Sequence, residues 1–147
     1  MSNAIRSVLA NQHKKANKNY LTANDFTDEI LLSYPVKPEK LDVFTLFLNK
    51  GNYQPKNIKQ VSNSHMILQM VAADMGIATL PHWLVASLTK KMLVKSVPLG
   101  KQGVFKILYA RYSNSNQHIK VIQQLLPLVQ ASFISLDKSI PDLDLFS

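Results

Sequence analysis

Apolar positions along this chain alternate between short runs suited to β-strands and longer stretches at helical spacing. Residues 5–10 open with a strand pattern, and residues 11–19 follow as a polar, lysine-rich loop. Thr22 stands where a side-chain oxygen caps a short helix carrying Asp25 and Phe26, with the acid favourably placed in the first turn. Residues 30–34 are rich in branched and aromatic side chains and read as a second strand. Pro38 suits the first turn of a helix whose apolar face is Leu41, Phe44, Phe47 and Leu48, and Gly51 closes it. Residues 58–61 form a third strand pattern.

The segment from Val61 to Trp83 is the most informative. Asn63 or Ser64 caps a helix whose apolar face is Ile67, Met70, Val71 and Met75. Gly76 is expected to stop that helix by taking the left-handed conformation, which costs glycine no Cβ clash. Residues 77–80 are a short apolar strand, and Pro81 ends it because proline has no N–H for a ladder. A helix N-terminus that opens onto a cleft is a ready anion site. Trp83, Leu84, Val85 and Leu88 then make a short helix. Residues 93–97 and 104–112 read as strands separated by Gly103, the second of them long. From residue 116 a single long helix carries Ile119, Ile122, Leu125, Leu126, Val129 and Phe133 on one face. Pro127 should kink or restart it. Residues 136–147 hold acids and Pro141 and read as a flexible tail. Alternating strands and helices imply an α/β domain around a central sheet.

At 147 residues the chain is one domain with room for a core. It has no cysteine, which removes disulfides and thiolate metal sites and is compatible with a cytoplasmic location. No run approaches the roughly 18 apolar residues that cross a bilayer, so no membrane role is expected. The net charge of +8 raises the question of a nucleic-acid surface. A basic soluble domain is the better reading. Lys14, Lys15 and Lys18 form the densest cluster, but only Tyr20 accompanies them, and Arg6 and Arg111 are the sole arginines. Catalysis finds no support: the chain lacks a nucleophile elbow, a phosphate-binding loop and a His-Glu-x-x-His pattern. His13, His65, His82 and His118 have no metal-site spacing, so neither metal nor cofactor is expected. His13 and His118 read as ordinary surface or core residues, whereas His65 and His82 stand at helix starts. Met66, Met70 and Met75 read as packing.

The run Met66-Ile67-Leu68-Gln69-Met70-Val71-Ala72-Ala73-Asp74-Met75-Gly76-Ile77-Ala78-Thr79-Leu80-Pro81 resembles the effector-binding domain of LysR-type transcriptional regulators. The family pattern there is a polar residue, then Met-Ile-Leu-x-x-Val-Ala-Ala-Gly-x-Gly-Ile-Ala-x-Leu-Pro. Ile30-Leu31-Leu32-Ser33-Tyr34-Pro35-Val36, Leu41-Asp42-Val43-Phe44, Phe47-Leu48, Pro81-His82-Trp83 and Leu108-Tyr109-Ala110 narrow the resemblance to the branch controlling methionine biosynthesis. The likeness runs from about residue 5 to about 133. Gln12-His13-Lys14-Lys15-Ala16 departs from the family's His-Pro-Leu-Ala, and Asp74 stands where many relatives have glycine, which is harmless on a helix.

The resemblance implies a periplasmic-binding-protein-like fold of two α/β subdomains. Residues 5–112 would be mainly the second subdomain and 116–135 the returning helix. The first half would be missing, and residues 1–4 would be a vector remnant. It implies a small-molecule effector held between subdomains by Tyr34, Pro35, Val36, Asn63, Ser64 and His65, with Pro81 and His82 beside them. That effector would be homocysteine. DNA contact would run only through a helix-turn-helix domain not included here. A homo-oligomer is implied, and Ile119, Ile122, Leu126 and Val129 are expected to pair with another helix. The alternatives are a solute-binding protein lobe or a domain sensing another small carboxylate.

Overall fold

The computed structural model describes residues 2–88, 92–113 and 119–137. β1 (Ser2–Ala10) is the hub of a six-stranded mixed sheet with the order β3–β2–β4–β1–β5, and β6 also pairs with β1. β2 (Ile30–Ser33), β3 (Asn57–Gln60) and β4 (Ile77–Pro81) run parallel to one another. β1 lies antiparallel to β4, with Ile5 opposite Pro81 and Val8 opposite Ala78. The far edge of β1 is shared. β6 (Val104–Ile107) pairs with its first half and β5 (Val94–Pro98) with its second.

Side-chain alternation along these strands builds two cores, one on each face. Ile5, Leu9, Leu31 and Ile77 pack with Phe26, Val43, Phe44 and Leu48 on one side. Val8, Leu32, Ala78 and Leu80 pack on the other, beneath α2 (Ser64–Ala72) and α3 (His82–Leu88). The central parallel strands β2 and β4 thus read as near-continuous apolar runs, as buried parallel strands do.

Several expectations are corrected. β1 starts at Ser2, three residues before the expected strand, and Asn3 and Ala4 are buried. The helix expected from Pro38 to Gly51 is three short pieces. They are a 3-10 turn (Pro38–Lys40), α1 (Asp42–Leu46) and a second 3-10 turn (Leu48–Gly51). Leu41 is extended and Phe47 leaves helical geometry, which breaks the run, and Asn52, not Gly51, takes the left-handed cap. α2 ends at Ala72, and Asp74 lies outside it in the left-handed conformation at φ 56. Gly76 has φ 155, and a Cβ there would stand 2.6 Å from the Ile30 carbonyl oxygen. Its role is therefore close approach of backbones and not the helix stop.

β6 is also shorter than the expected strand. It ends at Ile107, opposite Ser2, where the paired length of β1 ends. α4 (Ile119–Asp137) runs as one helix through Pro127. His118, residues 116–117 and residues 138–147 of the expected tail lie outside the described residues.

Candidate functional site

The carboxyl ends of β2, β3 and β4 share one edge of the sheet because the three strands are parallel. Tyr34, Pro35 and Val36 follow β2, Asn63, Ser64 and His65 follow β3, and Pro81 and His82 close β4 and open α3. Parallel topology thus gathers all eight expected site residues along that edge, where ligands of open α/β sheets bind.

Between the expected caps, Asn63 is the one that acts. Its backbone is extended, and its Oδ1 accepts the Met66 N–H at 2.9 Å. The amides of Ser64 and His65 meet no acceptor among the described residues. They are orphan donors at the positive end of the helix dipole, suited to a carboxylate. The Tyr34 hydroxyl and the Ser64 Oγ share a hydrogen bond of 2.6 Å, which ties the β2 loop to the first turn of α2. Tyr34 is half-buried against the α2-side core, while Pro35, Val36, Asn63 and His65 are exposed. His82 is different: both of its ring nitrogens are closed to solvent. Among the described residues no group of side chains has the makings of a metal site.

The opposite end of the sheet is organised by charge. Lys14, Lys15 and Lys18 turn toward acids and not toward a nucleic acid. The buried Lys15 ammonium donates to Glu29 at 2.7 Å, to the Asp25 carbonyl at 2.5 Å and to Asp28. Lys14 pairs with Asp28 and Lys18 with Asp25, both at 2.6 Å. His13 is held here too. Its Nδ1 accepts the Lys15 N–H, and its Nε2 meets Glu29 at 3.3 Å. Hydrogen bonds from Lys14 and then Lys15 hold the Asp28 carboxyl well below the usual range. Burial works against ionised Asp25, but its bonds with Lys18 and Thr22 prevail and lower its pKa. The loop over residues 11–19 is thereby fastened to the turn before β2. The sequence shows a polar, lysine-rich loop but not these partners, because only folding brings residues 13–18 and 25–29 together.

One further residue escaped notice. Arg6 lies in the middle of β1, half-buried among apolar neighbours. The available signal was the lone charge inside this strand.

Comparison with known proteins agrees with this architecture. The sequence model of the LysR substrate binding domain matches residues 1–133. The HTH-type transcriptional regulator MetR of Salmonella typhimurium is 40% identical over 122 residues, which are 83% of this chain and 38% of that protein. MetR of Escherichia coli (strain K12) gives the same identity and coverage. The chain thus spans well under half the length of these curated relatives. In structure, the regulatory domain of MetR from N. meningitidis, a LysR family regulator, superimposes with a TM-score of 0.78 at 28% identity, covering 91% of this chain and 62% of that domain. These relatives are regulators of transcription, not enzymes. A family match over nearly the whole chain, with 40% identity to MetR and a close structural superposition on a MetR regulatory domain, makes this chain a MetR-like member of the LysR substrate-binding domain family.

Proposed function

We propose that this domain senses homocysteine for a cytoplasmic regulator of methionine-biosynthesis genes. The observation that carries the reading is the 40% identity to MetR over 122 residues. The strand-end chemistry supports it. The Ser64 and His65 amides offer a carboxylate two free donors, and Tyr34 supplies an aromatic wall with a polar tip. The regulator works as a homo-oligomer, and it contacts DNA through a helix-turn-helix region, the latter in keeping with the HTH-type name its relatives carry. No described helix is long and apolar enough to cross a membrane.

The test is a titration of the isotope-labelled chain with L-homocysteine, with L-methionine as control, followed by amide NMR. Saturable displacement of the Ser64 and His65 amides by homocysteine is expected. The double variant Asn63→Ala, Ser64→Ala should lose it while remaining folded. If neither amino acid moves these amides, the methionine-pathway reading fails.

A further inference from the structure

Arg6 is a cation that the fold desolvates without supplying an acid. Its Nε–H donates to the Ser96 Oγ at 2.9 Å, and an Nη2–H donates to the Ser96 carbonyl at 3.3 Å. A guanidinium has five donors, so the Nη1 pair and one Nη2 proton remain. No carboxylate among the described residues lies within ion-pair distance of it. Burial accordingly lowers its pKa, with no neighbouring acid to offset the effect. An arginine remains charged in a protein, and the spare donors of this half-buried guanidinium stay open to a ligand. Arginines that merely lie along apolar surface extend their tips into water. This tip is instead pinned at two points by Ser96, with one side of its fork left over.

Its place in the sheet gives that spare side a setting. β1 changes partner at this residue: Ile5 pairs with Val104 of β6, and Arg6 pairs with Pro98 of β5. The neighbouring ladder is interrupted there by the turn between the two strands. On its other side Arg6 is opposite Leu80, next to Pro81 and the start of α3. Alternation puts Arg6 on the same face as Val8 and Leu80, beneath α2 and α3. It is thus one residue inside the edge that carries the free amides of α2.

We infer that Arg6 is a carboxylate receptor at this seam in the sheet, its unused Nη donors forming a fork suited to two carboxylate oxygens. The inference rests on the strand-end edge being the effector site. Two sources offer that chemistry: the effector's own carboxylate, or an acid among Asp137, Asp142 and Asp144 near the end of this chain.

Arg6 and Arg111 are the only arginines, so the Nε–H spectrum holds two signals, with exposed Arg111 as internal control. The full chain is titrated with sodium acetate, with L-homocysteine and with sodium chloride at matched ionic strength. The expected result is a saturable shift of the Arg6 signal with acetate or homocysteine, absent with chloride and absent at Arg111. Arg6→Gln should weaken that binding at least tenfold and Arg6→Lys less, with melting temperatures confirming that both fold. If the chain supplies the acid, the Arg6 signal differs before any addition in the variant Asp137→Asn, Asp142→Asn, Asp144→Asn. An Arg6 signal indifferent to added carboxylates and to that variant overturns the inference. A shift with acetate that homocysteine does not exceed, with the Ser64 and His65 amides unmoved, keeps the receptor and removes the homocysteine reading.

Discussion

Gly76 and Asp74 divide between them a task that the sequence pattern assigns to one glycine. A left-handed residue must end α2, and Asp74 does so at φ 56, a conformation that aspartate tolerates because its short side chain bonds locally. Gly76 then brings the start of β4 against the Ile30 carbonyl, where no side chain fits. Gly76→Ala should therefore cost about 1–3 kcal/mol in urea denaturation, from a strained φ and a backbone clash. A cost below about 0.5 kcal/mol would mean that the β2–β4 ladder yields without penalty. Asp74→Gly should change stability in the opposite direction, by up to about 1 kcal/mol, since it removes the left-handed Cβ penalty. At this scale the Asn63 cap was legible, because it acts on Met66 close by in sequence, whereas the Thr22 hydroxyl donates to Asp25 and caps no backbone N–H. Asn63→Ala should cost about 1 kcal/mol in the same assay, and Asn63→Ser should recover most of it. The exchange of roles between Asp74 and Gly76 was not legible, because it depends on a contact with Ile30 across the sheet.

Elements were legible where one periodicity persisted and not where tertiary contacts decided the outcome. β2, β3, β4 and α2 lie within a residue or a few of their expected positions because their apolar patterns match their burial. The expected helix between Pro38 and Gly51 broke up because Val43, Phe44 and Leu48 must all reach one core from a short connection. The lysine-rich loop was legible as a loop, but its partners were not, because they are acids that sequence distance conceals. That cluster has a pH signature. Asp28 and Asp25 have folded pKa values below their usual 3.8, so their contribution is present above that value and is lost as the solution is acidified through the folded values. The Lys14 pKa is raised, first by its hydrogen bond to Asp28, so its contribution holds below about 10.5 and is lost as pH rises beyond it. Stability against urea should therefore fall on acidification below about pH 4, with the 11–19 loop releasing first by hydrogen exchange. Lys15→Met should cost about 3–5 kcal/mol at pH 7, because it strands the buried Glu29 carboxylate without its cation. That loss should shrink as acidification carries Asp28 through its folded value. A loss that does not shrink on acidification would show that Lys15 contributes packing and not charge.

At the scale of the whole molecule, α4 is the element whose surroundings are least complete. Ile119, Ile122, Leu126 and Val129, the residues expected to pair with another helix, are half-buried, and Phe133 on the same face meets the Trp83 ring edge-on at 6.2 Å. A second set is open: Val121, Leu125 and Leu128 are 60%, 53% and 65% exposed. An amphipathic helix at a surface usually has one apolar face, and this one has two. The two faces should therefore respond differently to charge. Leu126→Glu removes contact with the domain and should cost about 2–3 kcal/mol, as burial of an unpaired charge does. The pair Leu125→Glu, Leu128→Glu should leave the melting temperature unchanged, because both side chains already face water. What that pair should change is association. Sedimentation velocity of the unaltered chain over a wide concentration range should show growth beyond a monomer through the open stripe, and the double variant should stay monomeric. A wild-type chain that sediments as a monomer throughout would remove self-pairing through α4. A double variant that still associates would move the contact to the half-buried face, where Ile122→Glu would then have to abolish it.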